Sequence, residues 1–202
     1  DNIIILEGGA APQWLDPHVS YYQYDFEILQ HSVEMLLWYN GSSRTQVIPW
    51  LTDTWTPNFA TTATSYTVTL RPNIKFQDGT ALNSTAVWFS LNRLLIIDGT
   101  SDTEVHGSQA AWIIQQLLDT RLSAYFSGGP PNAYNYDQTW VKKVLAQKFI
   151  EPDPIDPLRF KINIQNPTTQ LPYLFSQPWA AIVSSSEVIK KEYAFHSWGN
   201  PD

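Results

Sequence analysis

The stretch Leu70-Arg71-Pro72-Asn73-Ile74-Lys75-Phe76-Gln77-Asp78-Gly79-Thr80-Ala81-Leu82-Asn83-Ser84-Thr85-Ala86-Val87-Trp88-Phe89-Ser90 decides the fold. Leu70 closes an alternating run in which Tyr66, Val68 and Leu70 face away from Thr67 and Thr69, the pattern of a half-buried strand over residues 65–70. Arg71-Pro72-Asn73 turns the chain into a short return strand over 74–76. Asp78-Gly79 marks a second turn whose glycine takes a positive φ. Asn83 is placed to cap a helix over 84–97, with Val87, Leu91, Leu94 and Leu95 on one face. Ala86 stands where an acidic residue would close a capping box, so this helix start is weaker than it could be.

Working outward toward the N-terminus, residues 47–55 are apolar but carry Pro49, the mark of an edge or interrupted strand. Phe26, Leu29, Val33, Leu36 and Leu37 recur at three- and four-residue steps and predict a helix over 25–39. Asp25 and Glu27 stand in its first turn and Asn40-Gly41 ends it. Leu15-Asp16-Pro17-His18 is a turn, and residues 2–6 are a buried strand running into a glycine loop. Toward the C-terminus, helices are expected over 108–121 and 136–149, with a Gly/Pro loop over 127–132 between them. A connector over 151–157 is held extended by its three prolines. Strands over 159–164 and 180–183 and a helix over 185–193 complete the reading. Strands and helices interleave without a strict βαβ rhythm, so the fold class is α/β in the mixed α+β sense.

Composition narrows the function. Hydrophobic residues make up 43% of the 202 and charged residues 15%, which suits an ordered globular chain. A net charge of −7 with no Lys/Arg cluster disfavours nucleic acid and anionic membrane as partners. No cysteine is present, which excludes disulfides, thiolate zinc sites and a cysteine nucleophile. The longest apolar runs are too short to span a bilayer. Two glycosylation sequons, Asn40-Gly41-Ser42 and Asn83-Ser84-Thr85, agree with an exported protein. The nine tryptophans are mostly core; about a quarter are expected to line a groove, as at concave ligand sites.

The 70–90 stretch resembles the signature of the family 5 extracellular solute-binding proteins, the oligopeptide- and dipeptide-binding group. Further pieces follow in register: Leu15-Asp16-Pro17-His18, then Tyr24-Asp25-Phe26-Glu27, the strand from Ile48-Pro49-Trp50-Leu51 to Trp55, the strand from Phe160 to Pro167, and Ala181-Ile182-Val183-Ser184. Ala81 departs from the family's proline. The resemblance implies a type II periplasmic-binding-protein-like fold. Residues 1–38 and 160–202 would form the core of the first lobe, 39–159 an inserted subdomain, and the second lobe would be absent, so that the chain is the N-terminal part of a two-lobed receptor. It implies an extracytoplasmic location, at the periplasm or cell surface, with any lipid or membrane anchor outside this segment. The ligand would be a peptide or oligosaccharide, and the other partners an ABC permease and the second lobe; no cofactor is implied. Ligand-binding positions carried over by the resemblance are Tyr21, Tyr22 and Gln23, directly after the Leu-Asp-Pro-His turn, and Trp112, which approaches the cleft from the subdomain. Local packing is the competing role for each.

An enzyme is the first alternative, and the residues argue against it. Asp16 and His18 sit two apart on a proline turn and need not face one pocket, His31 lies between apolar helix positions as a packing residue, and Asp78 belongs to its turn. Glu27 and Glu34 gain no partner from sequence, and His18, His31, His106 and His196 are too scattered for a metal. No nucleophile elbow, phosphate loop or zinc-protease motif occurs. A carbohydrate-binding or adhesion module would be a β-sandwich, which the helical segments oppose, and a sensory receptor would share the present fold.

Overall fold

Strand β4 (Ser65–Leu70) is the organising element. Its alternation drives Tyr66, Val68 and Leu70 to 0% exposure while the threonines between them stay half-buried. The computed structural model describes residues 11–12, 15–97, 111–115, 117–118, 138–186 and 188. The expected strand over 2–6 and loop over 127–132 lie outside these residues. In chain order the elements are α1 (Gln23–Leu29), β1 (Leu37–Tyr39), β2 (Val47–Pro49), β3 (Thr52–Thr56), β4, α2 (Ser84–Ile96), α3 (Ala111–Gln115), α4 (Gln138–Ala146), β5 (Ile150–Pro152), β6 (Arg159–Asn163), α5 (Leu171–Leu174) and a 3-10 turn (Pro178–Ala180).

β1 and β2 form a two-stranded antiparallel hairpin, and the four-stranded sheet runs β3-β4-β6-β5, every pair antiparallel. Register places Val68 opposite Phe160 and Tyr66 opposite Ile162, so the inward residues of β4 and β6 share one face. The expected boundary at 159/160 falls inside β6. Helix α2 packs against β5, α3, α4 and the 3-10 turn, and it buries nearly every residue from Val87 to Ile96. Its N-terminus is set by the Asn83 Oδ1, which accepts from the Ala86 amide at 2.9 Å. An aromatic cluster closes the core: Trp55 meets Phe59, Tyr66 and Phe175 at 5.9, 5.9 and 6.0 Å, and Phe175 stacks on Phe149.

Several local expectations are corrected. The helix over 25–39 ends at Leu29, because Leu36 and Leu37 leave the helical path to bury at 0% exposure, where the Leu37 amide donates to the Phe175 carbonyl. Asn40-Gly41 is therefore a hairpin turn and not a helix stop. The return strand over 74–76 reduces to a single bridge between Lys75 and Ala81, since the turn at Gly79 (φ 86) brings the chain straight back. The 151–157 connector is instead the end of β5 followed by the β5–β6 hairpin loop. The Asp153 carboxylate accepts from the Ile155 and Asp156 amides and pairs with Arg159 at 2.8 Å, and these contacts outweigh the stiffness of the prolines. The strand expected over 180–183 does not form: Ala180 closes the 3-10 turn, Ala181 is extended, and the Ile182 amide donates to the Glu34 carbonyl.

Candidate functional site

The Leu-Asp-Pro-His turn is held by side chains that sequence spacing does not bring together. Asp16 accepts the His18 amide at 2.9 Å and takes both ends of the Arg93 guanidinium, Nη1 to Oδ1 at 2.8 Å and Nη2 to Oδ2. The second hydrogen of Nη1 points to His18 Nδ1 at 2.8 Å, and His18 Nε2 lies 2.9 Å from the Ala181 carbonyl. The two ring contacts fit one protonation state: a neutral imidazole that accepts at Nδ1 and donates from Nε2. Burial, then the neighbouring Arg93 charge, lower the His18 pKa to about 4, against the opposing pull of Asp16. At Asp16 burial acts upward, but the hydrogen bonds and charge of Arg93 prevail and hold the carboxyl below its usual range.

One step further along the chain, Ser20 Oγ donates to Asp25 Oδ2 at 2.8 Å, both residues being fully buried. Asp25 lies in the first turn of α1, where a carboxylate also suits the helix dipole. Ser20 and Asp25 thus point inward, and the rings between them are left outside. Tyr21, Tyr22 and Tyr24 are 42%, 41% and 38% exposed, and Gln23 opens α1 with its side chain in solvent. Tyr21 is steadied edge-on by Phe26 at 6.3 Å. Among the described residues, the large hydrophobics with exposed surface are Leu15, Tyr21, Tyr22, Tyr24, Ile28, Trp50 and Ile155, and the first five fall on this one segment. Exposed apolar side chains gathered on one segment make it the candidate interaction surface.

Concavities open among the described residues of the same body. Phe26 walls an open groove of about 430 Å³ together with Trp38, Tyr39, Arg44 and Gln177. A second cavity of about 350 Å³ is lined by Val33, Glu34, Ile74, Asp78, Val183 and Ser184. Its rim is stitched by Asp78, which accepts from the Thr80 amide and hydroxyl, from Ser184 and from Ser186. The hydroxyls of Ser184 and Thr80 hold the Asp78 pKa well below the carboxylate range. Opposite, Glu34 accepts the Trp50 indole N–H at 2.9 Å.

Of the positions expected to meet ligand, Tyr21, Tyr22 and Gln23 stand together on the exposed segment. Trp112 lies in α3, with its side chain outside the described residues. Asp16 and His18 do share one cluster, contrary to the sequence expectation, because Arg93 reaches them from α2. His31 is exposed and not packed, since α1 stops before it. His106 and His196 lie outside the described residues, and among the described residues no metal-type cluster of His, Asp or Glu forms. Sequence reasoning missed Arg93. The available signal was an arginine inside an apolar helix, which demands a buried anionic partner.

The family model described as bacterial extracellular solute-binding proteins, family 5 Middle, matches residues 46–201. No curated protein matches the chain. Similar solved structures include the murein tripeptide binding protein MppA of Escherichia coli, at 20% identity and TM-score 0.63, over 89% of this chain and 30% of that one. Burkholderia pseudomallei OppA aligns at 18% identity and TM-score 0.59, over 91% of this chain and 31% of its own. Haemophilus influenzae OppA, solved in complex with RPPGFSPFR, aligns at 18% and 0.61, over 91% and 30%. The chain thus spans about 30% of the length of these structures and shares their type II binding-protein fold. Among the described residues, no helix is long and apolar enough to cross a membrane.

Proposed function

This chain belongs to the bacterial extracellular solute-binding proteins of family 5, and from that premise we propose that it forms part of a receptor that captures a peptide outside the cytoplasm and delivers it to the permease of an ABC importer. The observation that carries the reading is the concentration of exposed tyrosine rings at residues 21, 22 and 24, on a segment whose His18, Ser20 and Asp25 are buried. An extended peptide laid on this segment meets flat tyrosine faces for its side chains and the Gln23 amide for its backbone. The Asp16–Arg93–His18 cluster keeps the platform in one conformation before ligand arrives, so less ordering entropy is lost on binding. A second lobe closing over the platform excludes water and strengthens those contacts. The ligand favours the closed state by its differential contacts with it. That two of the similar structures are named as a tripeptide-binding protein and as a complex with RPPGFSPFR supports the peptide class.

An oligosaccharide is the second reading, and the same tyrosine rings favour it because they suit the flat faces of sugars. Isothermal calorimetry on the full-length protein, with peptides of three to nine residues and with oligosaccharides as separate arms, distinguishes the two. In the complete protein, Tyr22→Ala or Trp112→Ala is expected to weaken binding about fivefold, equivalent to about 1 kcal/mol. Unchanged affinity in both variants removes these residues from the site. Heat with oligosaccharides alone replaces peptide by sugar.

A further inference from the structure

The chain carries two glycosylation sequons, and the fold treats them in opposite ways. Asn40-Gly41-Ser42 occupies the tip of the β1–β2 hairpin, where all three residues are exposed. Gly41 takes φ +56 with open space around it, nothing lying within 4 Å of where a Cβ would stand. The tip is a closed unit: the Asn40 amide donates to Gln46, the Ser43 amide donates to the Asn40 carbonyl, and the Ser43 hydroxyl accepts from the Thr45 and Gln46 amides. Asn40 Nδ2 makes one hydrogen bond, to Gln46 Oε1 at 3.0 Å, at an exposed position where water can replace it. Asn83-Ser84-Thr85 is engaged in folding instead. Asn83 Oδ1 caps α2, Ser84 is 2% exposed with its amide bound to the Pro157 carbonyl, and Thr85 is already helical.

We propose that Asn40 is an N-glycan attachment site of this protein and that Asn83 is not. The donor is a lipid-pyrophosphate-linked oligosaccharide, brought by a membrane transferase on the extracytoplasmic side. Asn40 Nδ2 forms the new bond to the sugar's anomeric carbon, the bond from that carbon to the pyrophosphate oxygen breaks, and the amide proton leaves as the lipid pyrophosphate departs; no electrons are exchanged with a third party. A transferase that acts on a folded chain needs a protruding loop it can draw into an extended conformation, which the hairpin tip offers and the α2 cap withholds. The inference rests on the family's extracellular location and not on the peptide reading.

The test is glycopeptide mass spectrometry on the full-length protein purified from the envelope of cells that produce it. The expected result is a glycan mass increment on the peptide containing Asn40 and none on the peptide containing Asn83. Asn40→Gln should abolish the increment while leaving calorimetric peptide binding unchanged. An unmodified Asn40 in envelope-purified protein, or a glycan on Asn83, overturns the proposal. Peptide binding that fails while Asn40 is occupied counts against the ligand reading alone.

Discussion

At the residue scale the Asp16–Arg93–His18 cluster fastens the turn that precedes the exposed tyrosines to α2 and to the Ala181 carbonyl, and it does so through a histidine that must stay neutral. His18 binds fewer protons folded than unfolded, so its contribution is fully present above the unfolded value of 6.5 and is lost as pH falls from there toward about 4. The whole drop corresponds to about 3 kcal/mol. Asp16 works in the same direction lower down: its depressed pKa contributes above the usual carboxylate value and is lost as pH falls through the folded one. Melting temperature is therefore expected to fall between pH 6.5 and 4, and His18→Gln, which cannot become charged, should flatten that part of the curve. Parallel curves for the wild type and the variant would show that His18 does not govern the acid response.

At the element scale the decisive segment is α2 and the turn that feeds it. Asn83 has no acidic partner to complete a capping box, because Ala86 stands at that position, so its single bond to the Ala86 amide carries the helix start. Asn83→Ala is expected to cost about 1 kcal/mol and Asn83→Asp much less, as read by urea denaturation followed by circular dichroism. Equal losses in the two variants would mean that the cap is not what Asn83 contributes. The hairpin tip and the α1 lead-in behave differently from α2. Neither is held by a long apolar face, and each depends on a few polar contacts, Ser20 with Asp25 in one case and Ser43 with two amides in the other.

At the scale of the whole molecule, one apolar cluster runs from Leu36 through β4, α2 and β6 to Ile182. Phe175 is its keystone, fully buried between Phe149 and Trp55, with its carbonyl holding β1. Phe175→Ala leaves a ring-sized cavity and is expected to cost about 3–5 kcal/mol in guanidinium unfolding followed by tryptophan fluorescence. A loss under about 1 kcal/mol would mean that the cluster collapses around the gap and that the site is less tightly packed than its ring contacts imply.

What the sequence by itself determined was whatever depends on neighbours along the chain. Strand β4, the Asp78-Gly79 turn, the Asn83 cap, α2 and β6 were all legible, because alternation, a positive-φ glycine and a short capping side chain are local constraints. The same stretch from Leu70 to Ser90 carried the family resemblance. Only the tertiary structure decided where local signals compete with burial. The residues from Val33 to Leu37 have helical spacing, yet they become extended because the core around Phe175 accepts Leu36 and Leu37 there. Asp16 and His18 were visible as a pair without a purpose until Arg93, 77 residues from Asp16 in sequence, reached both. A buried charge finds its partner in three dimensions, and nothing in linear spacing records that distance.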